Sequence, residues 1–232
     1  MRDEQDLIPD IVKRAVECVL RDEYNAARSA LGSIDYERLA SDRKAALRAR
    51  RVRLARAKVL DDAALPAGAS HNPARQRRRR TEPPAAMRLA TFERDHFICR
   101  YLHCQKRTIH LPVLRALSAL FPDIIPYSNN WTPLGDLILY WTYSTSIEHR
   151  VSFPHGGTSD PENLITACYG CNDIKNMIRA GDLGWEVATI REEDWDGLNR
   201  YLPGLEEALA GQSKARRRCD PKLPSSTPRT EF

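Results

Sequence analysis

The stretch that decides the fold is SIEHRVSFPHGGTSDPENLITACYGCNDIKN, residues 146–176. It contains an acid beside a histidine, a Gly-Gly turn, an Asp-Pro-Glu-Asn segment and two cysteines separated by two residues. A carboxylate, an imidazole, amides and thiols are side chains that bind metal ions, thiols preferring softer ions than oxygen atoms do. The stretch therefore predicts two metal sites, one that stabilises the fold and one that serves chemistry.

Cysteine spacing predicts the first of these sites. Four of the six cysteines form two close pairs, Cys99 with Cys104 and Cys168 with Cys171. Two such pairs, distant from each other in the chain, are typical of a structural zinc ion with four ligands. We therefore expect these four cysteines to bind Zn²⁺. Two alternatives remain open at this point: His103 could compete as a ligand, or the four cysteines could be small buried side chains without a metal.

Composition indicates a soluble globular protein. The 232 residues are 42% hydrophobic and 29% charged, and no apolar run approaches the roughly 20 residues that span a bilayer. The first ten residues are polar and acidic, unlike a secretory signal. We expect a cytoplasmic protein with no membrane partner, in which a disulfide framework is disfavoured.

Basic residues are clustered, although the formal net charge is only +5. Arginine-rich blocks occupy residues 43–58, 75–80 and 214–218. Such blocks are typical of segments that contact nucleic acid through phosphates, and the alternative is a solvated helix face with two linkers. Three blocks in one short chain favour a polyanionic partner. The predicted contacts are Arg77, Arg78, Arg79 and Arg80.

Proline, glycine and charge patterns divide the chain into five segments. We expect a helical N-terminal domain that binds DNA or a partner, a basic linker, a domain that carries the motif and an insertion, C-terminal helices and a disordered basic tail. The helical domain covers 1–65 and the linker 66–86. The domain with the motif covers 87–182, with the insertion at 105–147. The C-terminal helices cover 183–211 and the tail 212–232. The aromatic residues of the insertion are expected to pack in the core: Trp131, Tyr140, Trp141 and Tyr143.

Local patterns predict the elements around the motif. Apolar periodicity indicates two or three helices in the N-terminal domain, one of them starting at Ser33 with Glu37. Residues 111–121 read as a helix, and residues 135–149 alternate as a strand does. A strand-like segment covers 96–100. A helix is expected from Cys171 to Gly181, where glycine would close it, followed by one or two short terminal helices within 191–211.

The motif resembles that of HNH endonucleases over roughly residues 87–182. That family has an acid-histidine pair at the end of a strand, a Gly-Gly loop, an Asn-Leu pair that opens the next strand, and Cys-x-x-Cys before a helix. The resemblance implies an α+β fold, a ββα-metal (HNH) nuclease domain stabilised by zinc. The matching residues are Glu148-His149, Gly156-Gly157, Asn163-Leu164, Cys168, Cys171 and Asn172, with Lys175 one turn further on.

The resemblance also implies catalytic roles. His149 would be the general base, because a neutral imidazole can take a proton from water near pH 7. Glu148 and Asn172 would hold a catalytic Mg²⁺ or Mn²⁺, since hard ions prefer oxygen ligands. Asn163 would brace the segment that carries the histidine, and Lys175 is expected to contact nucleic acid. Glu148 replaces the usual aspartate, and Asn172 a frequent histidine, but oxygen coordination is kept.

The resulting hypothesis is a metal-dependent HNH endonuclease that hydrolyses DNA phosphodiester bonds. By family analogy its role would be bacterial restriction or phage defence. One alternative is an effector nuclease controlled by a partner protein that binds residues 1–65, a segment that could also mediate self-association. Another is a zinc-stabilised nucleic-acid-binding module without catalysis.

Overall fold

The computed structural model describes residues 7–64, 82–127 and 137–219. Within these ranges the chain forms eight α-helices and a two-stranded antiparallel sheet, so the fold is α+β as expected. None of the helices in the described part of the chain has the length and hydrophobicity needed to cross a membrane. In chain order the elements are α1 Ile8–Leu20, α2 Tyr24–Gly32, α3 Tyr36–Ala64, α4 Ala85–Arg94, α5 Leu111–Leu120, α6 Ile138–Tyr143, β1 Thr145–His149, β2 Leu164–Cys168, α7 Tyr169–Lys175 and α8 Leu202–Cys219.

Several predictions from the sequence fall outside the described residues. They are the four linker arginines Arg77, Arg78, Arg79 and Arg80, the insertion's Trp131, and residues 220–232 of the tail. The first part of that tail is helical, because α8 continues to Cys219. The division of the chain into five segments stays a prediction.

The N-terminal segment folds into α1, α2 and α3, which agrees with the expected two or three helices. Its third helix begins later than the sequence signal indicates. The carboxylate of Asp35 accepts the backbone N–H of Arg38 at 2.8 Å and caps the start of α3. The hydroxyl of Ser33 instead donates to the carbonyl of Ala30 and closes α2.

One hydrophobic core joins the N-terminal helices to the rest of the molecule. Apolar residues of α1, α2 and the start of α3 belong to the same buried cluster as α5, α6 and α8. Tyr140, Trp141 and Tyr143 are buried in it, as expected for the insertion's aromatic residues. The N-terminal helices therefore pack as part of the same body as the motif.

The predicted strand over 135–149 is wrong in its first part. Residues 138–143 form helix α6, and only Thr145–His149 are extended. A continuous apolar run does not distinguish a strand from a helix that is buried on most sides. Here five of the six residues of α6 are buried, so contacts with α3, α7 and β2 decide in favour of the helix.

The motif itself folds as ββα. Strands β1 and β2 pair in antiparallel register from Thr145↔Cys168 to His149↔Leu164, and α7 follows β2 directly. Helix α7 ends at Lys175, six residues before the predicted end at Gly181, because Asn176 adopts a positive φ of 49°. Residues 96–100 contain an isolated bridge, Ile98↔Arg107, rather than a strand.

Candidate active site

The four cysteines of the motif meet at one point in the structure. The Sγ atoms of Cys99, Cys104, Cys168 and Cys171 all lie within 4.8 Å of one another. The Cys104 and Cys168 sulfurs are 3.8 Å apart, close to the separation that two thiolates have around one tetrahedral ion with Zn–S bonds of about 2.3 Å. The cluster is therefore compatible with zinc.

The local backbone structure directs the four sulfur atoms toward one another. Cys168 ends β2 and is the N-cap of α7, where its sulfur accepts the backbone N–H of Cys171 at 3.4 Å. Cys99 lies in a turn that is closed by a hydrogen bond from its N–H to the carbonyl of Lys106. The two halves of the cluster are thus a tight turn and a strand-to-helix junction.

The thiols of the cluster differ in acidity. Burial raises the pKa of the Cys99 thiol, whereas hydrogen bonds from Cys104 and the other two thiols hold the pKa of Cys168 well below its usual range. All four thiols lie at one point, and a cation bound there would replace their protons, since metal ligands must be deprotonated.

His103 contacts the cluster from outside. Its Nε2 is 3.7 Å from the sulfur of Cys171, and its ring lies against Tyr101 and Trp185, with centroids 5.9 and 4.2 Å away. The four sulfurs already supply a complete tetrahedral set. His103 is thus placed to hydrogen-bond a ligand rather than to replace one.

The Gly-Gly loop is held together by Asn163. The side-chain amide of Asn163 accepts the N–H of Val151 at 2.8 Å and donates to the carbonyls of Val151 and Thr158 at 2.9 and 2.7 Å. Gly157 makes this closure possible, because a Cβ there would lie 1.7 Å from the carbonyl oxygen of Val151. Asn163 thus ties both ends of the loop to the segment after His149.

His149 lies at the end of β1, where this loop begins. Its Nε2 is 3.2 Å from the hydroxyl of Ser159, and its ring packs against Phe153 with centroids 4.6 Å apart. The imidazole is half-buried. Both of these contacts come from the same loop and help to orient the imidazole.

Glu148 and Lys175 form a buried ion pair beside His149. The ammonium of Lys175 donates to Glu148 Oε1 at 3.0 Å and to the carbonyl of His149 at 2.9 Å. The side chains of Lys175 and Glu148 are 0% and 4% exposed. Lys175 is therefore not placed to contact nucleic acid, contrary to the expectation from sequence. Instead it ties α7 to the last two residues of β1.

Asn172 lies on α7 between the cysteines and Lys175. Its side-chain N–H group donates to the carbonyl of Ile147 at 2.7 Å and to the hydroxyl of Ser146 at 3.2 Å. Because the nitrogen makes both contacts, the oxygen Oδ1 is the atom that Asn172 can offer to a cation. Glu148 of β1 and Asn172, whose nitrogen contacts β1, both carry oxygen donors of the kind that Mg²⁺ prefers.

A comparison with known protein families finds a match for the part of the chain that contains β1, β2 and α7. Residues 136–177 match the family model of the HNH endonuclease. The chain contains an HNH domain. The matched residues include β1, β2, α7 and two of the four cysteines, whereas Cys99 and Cys104 precede them. Neither curated proteins nor solved structures yielded a match. Because the HNH family consists of nucleases, the domain indicates nuclease activity.

Arg43 connects the HNH domain to the N-terminal helices, a role that sequence reasoning missed. Its guanidinium donates to Asp173 of α7 at 2.6 Å, approaches the carbonyl of Gly170 and lies 4.5 Å from the ring centre of Trp141. The side chain is 4% exposed. This member of the first arginine block therefore holds α3 against the helix of the HNH domain rather than contacting a phosphate. An arginine-rich run contains no signal that distinguishes such a buried member from its solvated neighbours.

Removal of the Lys175 ammonium should destabilise the HNH domain. Lys175→Met leaves the Glu148 carboxylate buried without its cation, and breaking a buried pair in this way costs about 3–5 kcal/mol. Combining it with Glu148→Gln should restore much of the free energy of unfolding, because no buried charge remains. Urea denaturation of the single and double variants measures both effects.

The matched control is Lys13→Met, which breaks an exposed pair with Glu17 on α1. It should change the free energy of unfolding by no more than about 0.5 kcal/mol. If Lys175→Met were equally mild, the buried pair would not hold the end of β1.

Proposed function

We propose that this protein is a metal-dependent HNH endonuclease that hydrolyses phosphodiester bonds in DNA. The observation that carries the proposal is the position of His149. Its imidazole is oriented by Ser159 at the end of β1, the strand that also carries Glu148 and that Asn172 contacts at Ile147. An oriented base next to hard oxygen donors is what hydrolysis of a phosphodiester requires.

His149 is the general base in this proposal. When Nε2 carries the proton and donates to Ser159, the lone pair of the neutral imidazole lies on Nδ1, which then accepts the proton of the attacking water. Packing against Phe153 keeps the ring from rotating away. Ser159 therefore acts as a positioning residue that orients the ring.

Glu148 and Asn172 are the proposed ligands of Mg²⁺ or Mn²⁺. A divalent cation held there would neutralise negative charge on the scissile phosphate and the leaving oxygen. Lys175 already balances the charge of Glu148 and fixes its direction. Asn172 in turn keeps its oxygen oriented through its hydrogen bond to Ile147.

The remaining motif residues keep these groups in place. Asn163 closes the loop that presents His149 and Ser159, and we assign it a bracing role rather than a chemical one. Zn²⁺ bound by the four cysteines would join the turn before β1 to the start of α7. Both roles are structural, so the chemistry belongs to the opposite end of β1. A wider role in restriction or phage defence stays a prediction from the family resemblance.

Incubation of the pure protein with supercoiled plasmid tests the proposal. We expect nicked and then linear DNA with Mg²⁺ or Mn²⁺, and no cleavage with EDTA. Binding of the plasmid without cleavage at any concentration of either metal would favour the non-catalytic module instead. The zinc content of the protein is measured first, so that a lack of cleavage cannot be caused by an unfolded preparation.

A partner-controlled effector nuclease is the second candidate, and the Arg43 contact favours it. Because Arg43 joins α3 to Asp173 and Gly170 of α7, a protein bound to the N-terminal helices could act on the HNH domain through this contact. This candidate predicts that pure protein is nearly inactive on plasmid and that Arg43→Gln changes its activity without added partner. Cleavage that is unaffected by Arg43→Gln would count against it.

The linker arginines are expected to bind phosphates irrespective of base sequence. Replacing Arg77, Arg78, Arg79 and Arg80 with glutamine should weaken binding to all DNA sequences alike. The slope of log affinity against log salt should fall by roughly one unit for each phosphate that the variant no longer binds. Fluorescence anisotropy at several salt concentrations measures it. An unchanged slope would show that the segment does not contact phosphates and serves only as a linker.

A further inference from the structure

A groove runs along the outer side of the loop that presents His149. It has a volume of about 700 Å³, and its walls include Arg150, Val151, His155, Glu162, Asn163 and Arg179. Asn163 belongs both to this groove and to the brace of the loop. Arg150 directly follows His149 in the chain, so the groove includes the first residue after the proposed catalytic base.

Two exposed arginines line this groove without carboxylate partners. Most arginines with described side chains in this protein contact an acid, among them Arg28, Arg94, Arg107 and Arg200. By contrast, no carboxylate in the described part of the chain lies within ion-pair distance of Arg150 or Arg179. The one acid in the lining, Glu162, is exposed and contacts neither. Both guanidinium groups are therefore available to an external anion.

Arg179 is also held in position. Its Nε–H donates to His155 Nδ1 at 3.3 Å, while His155 Nε2–H donates to the carbonyl of Met177 at 3.0 Å. A neutral imidazole thus orients the guanidinium without neutralising its charge, which leaves the two terminal nitrogens of the fork for a ligand. Planar guanidinium groups of this kind bind phosphate oxygens in a bidentate manner.

We propose that this groove binds the nucleic-acid backbone next to the scissile phosphate, with Arg150 and Arg179 each contacting a flanking phosphate. The proposal rests on the proposed nuclease function, since it places the strand against His149. The ligand is a phosphodiester chain, recognised by charge and not by base sequence. His155 serves as the positioning residue for Arg179.

Binding can be measured separately from cleavage. We would use full-length protein carrying His149→Ala, in EDTA, with a short fluorescein-labelled DNA duplex and anisotropy at several salt concentrations. In this background Arg150→Gln and Arg179→Gln should each lower the slope of log affinity against log salt by roughly one unit, and the double variant by roughly two. Arg179→Lys should retain the slope, because it keeps the charge.

Arg14→Gln is the matched control. Arg14 is an exposed arginine on α1 that does not line the groove, so its replacement makes the same change of charge elsewhere. The groove proposal is overturned if Arg150→Gln and Arg179→Gln lower the slope no more than Arg14→Gln does. Cleavage of plasmid by the otherwise wild-type protein is scored separately. If the groove variants lower the slope but the otherwise wild-type protein does not cleave plasmid, the groove is still a binding site and only the proposed nuclease function is overturned.

Discussion

Cys168→Ser is expected to unfold the region around the cysteine cluster. The sulfur of Cys168 lies 3.8 Å from that of Cys104 and is one of the four that would bind zinc. A serine at this position could still accept the N–H of Cys171 at the start of α7, so the expected loss is that of a zinc ligand. Structural zinc contributes an apparent free energy of about 10–16 kcal/mol in small zinc domains, which is about as large as the whole free energy of unfolding of a typical domain. We expect about one bound Zn²⁺ per wild-type chain and a large loss of it in the variant.

Zinc analysis and thermal melting by circular dichroism measure this result. Cys18→Ser is the matched control, since Cys18 is a buried cysteine in α1 that lies outside the cluster. It should keep the zinc and lose only the roughly 1–3 kcal/mol that a buried hydroxyl costs. Wild-type protein that contains no zinc, together with unchanged melting in Cys168→Ser, would show that the four cysteines are merely small buried side chains.

The parts of the site that could be predicted from sequence are those in which spacing determines geometry. Two cysteines separated by two residues, at a strand-to-helix junction, have little freedom in how their sulfurs converge, and the second pair completes the set. The bracing role of Asn163, by contrast, is what the resemblance to HNH endonucleases implies, and its hydrogen bonds to Val151 and Thr158 agree with that role.

Other features depend on packing that sequence patterns do not encode. Lysine is almost never fully buried, so sequence alone favours a surface position for Lys175. Its burial is possible only because Glu148 and the carbonyl of His149 converge on the ammonium from another element. Arg43 and Asp173 lie 130 residues apart, and no periodicity signals their contact. The apolar run of α6 is helical for the same reason, since neighbouring elements cover most of its sides.

The shared core has a consequence for how the protein could be regulated. Helices α1 to α3 bury their apolar faces in the same cluster as α5, α6 and α8, and α3 also reaches α7 through Arg43. A change in the packing of the N-terminal helices would therefore alter the position of α7, the helix that carries Asn172 and Lys175. This is the physical route by which a partner bound at residues 1–65 could alter the activity of the HNH domain.

His149→Ala should abolish most cleavage while leaving the protein folded. The change removes the proposed base but keeps Glu148, Asn172 and the four cysteines, so zinc content and melting should stay close to wild type. Loss of a general base typically lowers the rate by about 10²–10⁴-fold. Plasmid nicking in Mg²⁺, followed over time, measures the loss. Ser159→Ala, which removes only the partner of Nε2, should cause a smaller fall.

Added imidazole separates a chemical role of His149 from a structural one. A small external base can enter the space left by His149→Ala and should restore part of the activity, whereas it cannot repair an unfolded domain. Glu148→Gln serves as the contrasting variant, because it retains an acceptor for Lys175 while weakening the oxygen ligand. Its melting is measured as well, since the buried Lys175 loses its counter-charge. Its activity should respond to higher Mn²⁺ and not to imidazole. If His149→Ala cleaved like wild type, or lost activity only by unfolding, His149 would be a histidine of the small core and the proposed mechanism would be wrong.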